Sequence, residues 1–96
     1  MTDYLFLMHR SPDTRVDDWD PYLERLRASG RLRGGSAIGD GVCVRKSGEP
    51  PAITAHLGGF LRVEAADLDD ARGLLVGNPV YEAGGTVEIR ELPRTD

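Results

Sequence analysis

An α+β fold built from four strands and two helices is what this 96-residue sequence predicts. Three observations carry the prediction. The N-terminal segment DYLFLMH is apolar on both of its alternating faces, two later segments repeat apolar residues at helical spacing, and the C-terminal TVEIREL alternates apolar with polar residues. The length bounds the chain to a single domain over residues 1–96, with one core of modest size. Hydrophobic residues make up 40% against 29% charged, the balance of a chain that buries a core rather than of a disordered one.

Asp3 to His9 is rich in strand formers, with Leu5 and Leu7 on one face and Tyr4, Phe6 and Met8 on the other. Such a strand belongs in the middle of a sheet, covered from both sides. Asp17 or Asp18 is the expected cap of a first helix with Pro21 in its first turn; Trp19, Tyr22, Leu23 and Leu26 form its apolar stripe, and Gly30 stands just past its end. Gly34 to Lys46 predicts short extended pieces broken by Gly-Asp-Gly, with Cys43 half-buried between Val42 and Val44, followed by a connection over Ser47 to Pro51. A single cysteine forms no internal disulfide and receives no chemical role. Gly58 to Ala65 sets Leu61 and Val63 against Phe60, Arg62 and Glu64. A second helix follows, capped by Asp67, with Leu68, Ala71, Leu74 and Leu75 as its buried stripe and Asn78-Pro79 as its end. Gly84 and Gly85 are expected to turn the chain into the last strand, where Val87 and Ile89 alternate with Thr86, Glu88 and Arg90.

The resulting order, β-α-β-β-α-β, is the split βαβ arrangement of a ferredoxin-like sheet. Right-handed crossovers place the first and third strands in the middle, antiparallel, with both helices on one face. The other face is then bare, exposing either Tyr4, Phe6 and Met8 or Leu5 and Leu7. A second copy of the same sheet would cover it, so a homodimer is expected, with Arg62, Thr86, Glu88 and Arg90 at the margins of the contact or in a cavity.

Charge and hydropathy exclude other classes of partner. A net charge of −4 argues against binding nucleic acid through its phosphates. No apolar run approaches the roughly 20 residues that cross a bilayer. The N-terminus MTDYLFLMHR lacks the basic flank of a signal peptide, so a cytoplasmic protein is expected.

The succession YLFLMH, LRASGRLRGGSAI, LGGFLRVEAADLDDARGLL and NPVYEAGGTVEIREL resembles the YCII-related, DGPF-domain proteins of the dimeric α+β barrel superfamily. The resemblance covers nearly the whole chain and is most specific in GGFLRVEAADLDDA and PVYEAGGTVEIREL. It implies the same ferredoxin-like fold in a dimeric α+β barrel. Two departures bear on function. GEPPAITAHL, Gly48 to Leu57, stands where the family carries Asp-Gly-Pro-Phe. Relatives in the family carry a His early in the first helix and an Asp at the end of the second; the matching positions here are Tyr22 and Asn78. Tyr titrates near 10 and Asn does not titrate, so the acid/base chemistry of that pair is not implied for this chain.

The topology brings His9, the segment after His56, the start of the first helix and the Asn78 to Gly85 loop to one end of the sheet. His9, His56, Arg10, Tyr22, Asn78, Tyr81 and Glu82 are therefore expected around one pocket mouth. His9 and His56 are the candidate bases, and rigid attachment to a buried strand favours His9. Arg62, if it faces a cavity, could hold a carboxylate; otherwise Arg62 and Arg90 pair with Glu64, Glu88 or Glu91. Histidines at positions 9 and 56 match no metal-ligand spacing, and no metal or cofactor is expected. GGSAIGDG is neither a P-loop nor a dinucleotide fingerprint. The favoured reading is a small-molecule-binding or regulatory module without the relatives' His-Asp pair. The alternative is a cofactor-free isomerase- or lyase-like enzyme acting on a small organic acid.

Overall fold

Strand β1 (Thr2–His9) runs through the middle of a four-stranded antiparallel sheet of order β2-β3-β1-β4, with β2 at Leu32–Ala37, β3 at Leu57–Ala65 and β4 at Val87–Leu92. The computed structural model describes residues 1–11 and 18–94. Helices α1 (Asp20–Ala28) and α2 (Leu68–Gly73) and a single-turn helix α3 (Pro79–Glu82) complete the chain. The ferredoxin-like order is therefore as the sequence predicts, with one short helix added before the last strand.

The alternation in β1 decides which face the helices cover. Tyr4, Phe6 and Met8 are buried together with Leu61, Val63 and Ala65 of β3 and with Tyr22, Leu26, Ala71 and Leu75 from the helical layer. Leu5 and Leu7 lie on the opposite face and are only half-buried. There the register places Leu7 between Phe60 and Glu88, and Leu5 between Arg62 and Arg90. Arg62 pairs with Asp3 at 2.7 Å rather than with Glu64, which pairs instead with Arg33 at 3.1 Å. The chain is a slab of 46 × 40 × 19 Å, thin because one sheet carries one layer of helices, each roughly 10 Å across.

Helix α1 starts at Asp20 with Trp19 as N-cap and no side-chain cap; Asp18 Oδ1 accepts from the Asp20 N–H at 3.1 Å, and Asp17 lies outside the described residues. Its stripe is as expected, with Tyr22 and Leu26 buried and Trp19 and Leu23 packed against the core. Asp67 caps α2, its Oδ1 accepting from the Asp70 N–H at 2.8 Å. Asp70 in turn takes Arg31 Nη1 at 2.8 Å, tying α2 to the start of β2. The Ala66 N–H and then Arg31 hold the Asp70 carboxyl below the usual carboxylate range.

Three further expectations are corrected. Leu68, expected in the buried stripe, is 51% exposed. Ala71 and Leu75 carry the packing instead. Asn78-Pro79 does not end α2, which finishes at Gly73, but starts α3: Asn78 Oδ1 accepts from the N–H groups of Val80 at 3.0 Å and Tyr81 at 3.1 Å, and Pro79 follows where no N–H is needed. The extended pieces expected over Gly34 to Lys46 end at Ala37. Beyond the bond from the Ile38 N–H to the Gly58 carbonyl this edge has no strand alongside, so residues 38–56 form neither strand nor helix, and Val42 and Val44 are exposed.

The turn before β4 is as expected. Gly84 has φ +87°, a left-handed conformation costly to side-chain-bearing residues, whereas Gly85 is not in that region. Gly84→Val is expected to destabilise by about 1–3 kcal/mol and Gly85→Val by clearly less. Urea titrations of the two variants check this, and equal costs would mean that the left-handed backbone is not what the turn requires. No helix among the described residues is long and apolar enough to cross a membrane.

Candidate functional site

Helix α1, edge strand β2 and the neighbouring ends of β1 and β3 enclose a cavity of about 610 Å³, within the range of small-molecule sites. Met8, Leu23, Leu32, Leu61 and Val80 supply apolar walls, and Trp19 supplies an aromatic one. Small residues of the β2–β3 pair, among them Gly34, Gly35, Ala37 and Gly59, leave the space open. Gly35 packs so closely that a Cβ there would stand 2.7 Å from the Phe60 carbonyl oxygen and 2.6 Å from Leu61 Cδ2. Only glycine fits that approach.

The polar groups in the lining are His9, Arg10, Ser11, Arg27 and Ser36. No carboxylate occurs among the described lining residues, although the whole chain carries −4. Arg10 Nη2 donates to the Ile38 carbonyl at 3.2 Å. The Arg27 side chain makes no hydrogen bond or ion pair among the described residues.

His9 connects the cavity to the open sheet face. Its N–H donates to the Thr86 carbonyl at 2.9 Å, and the pairing with β3 shifts register between Met8 and His9. Nε2 lies 3.0 Å from Glu88 Oε1, while Glu88 Oε2 accepts from Arg90 Nε at 2.8 Å. The hydrogen bond from His9 and then that from Arg90 hold the Glu88 carboxyl below the usual range. The His56 ring meets His9 edge-on, with centroids 4.6 Å apart and planes at 71°.

Of the residues expected at one mouth, His9 and Arg10 line the cavity, joined by Trp19. Tyr22, Asn78, Tyr81, His56 and Glu82 do not, and Arg62, the conditional carboxylate partner, does not line it either. Tyr22 is 2% exposed, its hydroxyl donating to the Leu74 carbonyl at 2.7 Å; burial pushes the phenol up, opposed by the Asn78 amide and by Arg25. Asn78 is fully buried, and its Nδ2 has no hydrogen-bond partner among the described residues. The two positions that match the relatives' His-Asp pair are thus close together but sit in the core. Tyr81 is about half exposed, and Glu82 accepts from the Gly77 N–H at 2.8 Å. Arg27 and Glu88 were not among the expected site residues. Arg27 falls one helical turn after Leu23, which periodicity could have placed; the approach of Glu88 to His9 depends on the β1–β4 register.

The YCII-related domain model matches residues 4–95 of the sequence. No curated protein matches it. Among solved structures, the chain resembles 5-chloro-2-hydroxyhydroquinone dehydrochlorinase (TftG) from Burkholderia phenoliruptrix AC1100, in complex with 2,5-dihydroxybenzoquinone, with a TM-score of 0.62 at 20% identity over 97% of this chain and 95% of that one. A likeness at that identity speaks for the fold.

Proposed function

Because the chain belongs to the YCII-related domain family, and because its cavity is cationic inside an acidic protein, we propose that it binds a small organic anion with a flat apolar body. The observation that carries this reading is the lining itself, with Arg10, Arg27 and His9 among apolar and aromatic walls and no carboxylate among the described lining residues. A guanidinium beside an apolar wall attracts a carboxylate or phenolate more strongly than it would in open water, and it favours planar bidentate contact. Trp19 suits a flat body. The structural relative solved with 2,5-dihydroxybenzoquinone supports a ligand of that size and shape. The pair at Tyr22 and Asn78 supports binding without the relatives' dyad chemistry.

The same reading includes a homodimer. Leu5, Leu7 and Phe60 form an apolar strip on a sheet face that no helix of the chain covers, and a second copy would bury it about a two-fold axis.

The lone Trp19 reports on the cavity directly. Phenylacetate is expected to quench its fluorescence saturably and to bind at least about tenfold more tightly than the neutral 2-phenylethanol, a difference of about 1.4 kcal/mol. Arg27→Gln is expected to remove most of that preference. Light scattering on the same sample is expected to give twice the 10.5 kDa chain mass. Equal affinity for the charged and neutral compounds would overturn the anion reading, and a stable monomer would overturn the dimer.

A further inference from the structure

We propose that His9 and Glu88 form a proton-transfer pair at the edge of this cavity, His9 as the base and Glu88 as its positioning residue, acting on an organic anion that carries an acidic C–H beside a carbonyl. The inference rests on the cavity being a ligand site and adds a reaction to it. His9 is the only imidazole among the described lining residues, and it is also the residue that meets Glu88 at 3.0 Å. Both Glu88 oxygens are engaged, Oε1 by His9 and Oε2 by Arg90 at 2.8 Å. An ionised carboxylate only accepts hydrogen bonds, so Nε2 carries a proton, and in the neutral imidazole Nδ1 keeps its lone pair. Nδ1 makes no hydrogen bond among the described residues. Glu88 of β4 and His56 of the segment before β3 meet the ring, while the charge of Arg90 reaches it only through Glu88 and Arg10 follows His9 in the chain.

A histidine-glutamate pair on a sheet surface is ordinarily an ion pair of little consequence. Three features separate this one. It adjoins an apolar cavity, one imidazole nitrogen is held by a carboxylate that Arg90 also anchors, and Arg10 follows His9 directly in the chain and in the lining. Imidazole removes a C–H proton near neutral pH only where the resulting charge is delocalised and stabilised, which selects an enolisable carbonyl compound. In the step, the C–H bond beside the carbonyl breaks, its proton passes to His9 Nδ1, and the electron pair moves onto the carbonyl oxygen as an enolate. Arg10 supplies positive charge for that oxygen. Return of the proton to carbon regenerates the ligand or an isomer, and no oxidant or reductant takes part.

Phenylpyruvate is a suitable probe, being flat, apolar, anionic and enolisable. Its benzylic protons exchange with D2O, and proton NMR follows their loss. The wild-type protein is expected to accelerate exchange over buffer, and His9→Gln to lower that acceleration by on the order of 10²-fold or more. His9→Ala is expected to regain part of the rate when free imidazole is added, which a residue needed only for folding would not show. Glu88→Gln is expected to slow exchange by at least about tenfold while leaving phenylpyruvate affinity, read by Trp19 fluorescence, unchanged. Binding of phenylpyruvate without exchange above buffer, or exchange by His9→Gln at the wild-type rate, would overturn the proton-transfer role and leave the ligand site standing. Absence of phenylpyruvate binding would overturn both.

Discussion

Phe6→Ala is expected to leave the domain barely folded. Phe6 is wholly buried at the centre of β1, with Leu61 opposite on β3 and Ile89 opposite on β4, in the cluster that the helices cover. Truncating a buried phenylalanine removes its transfer free energy and leaves a cavity, together about 3–5 kcal/mol. Small domains hold only about 5–15 kcal/mol in total, and a two-layer slab of 96 residues with one open face has a limited core to draw on. Circular dichroism during urea titration should show the midpoint collapsing toward zero denaturant. Leu7→Ala, on the open face, is expected to cost clearly less in the same measurement on dissociated chains. A Phe6→Ala variant within about 1 kcal/mol of the parent would mean that the core is centred elsewhere.

Tyr22→Ala is expected to destabilise by a similar amount, about 3–5 kcal/mol, because it removes a large ring that is 2% exposed and packed between α1 and the sheet. Tyr22→Phe separates packing from polarity. It keeps the ring and loses only the hydroxyl bond to Leu74, which ties α1 to the end of α2, so about 0.5–1.5 kcal/mol is expected. The contrast bears on function, since this position matches the histidine of the relatives' pair. If Tyr22 instead served a ligand, Tyr22→Phe would weaken phenylacetate binding while scarcely changing stability; the core position predicts the reverse. Thermal unfolding and Trp19 fluorescence on one sample distinguish the two.

Much of the fold was legible because its signals are local. The two-faced apolar pattern of β1, the 19-22-23-26 stripe of α1, the Asp67 cap and the alternation of β3 and β4 each reflect geometry within a few residues. Chirality rules then left little choice of topology. The misreadings fall where a local signal had two outcomes. Asn-Pro can follow one helix or start another, and the capping bonds from Asn78 to Val80 and Tyr81 decided for the latter. A β-prone VCV segment forms a strand only if a partner lies alongside, and the sheet edge supplies none beyond Ile38.

The sequence by itself determined the order of elements, the central place of β1 and the presence of a face left open by the helices, because periodicity and chain direction act over short spans. The family resemblance in the quoted segments was legible there too. Only the tertiary structure decided which face of β1 goes under the helices and where Tyr22 and Asn78 lie. It also decided that Arg10, Arg27 and His9 share one cavity lined by glycines and Trp19. The contact between His9 and Glu88 joins residues 79 positions apart and exists through the register of β1 on β4. A one-residue slip of that register would turn Glu88 to the opposite face, and no pattern within either strand specifies that pairing without the other.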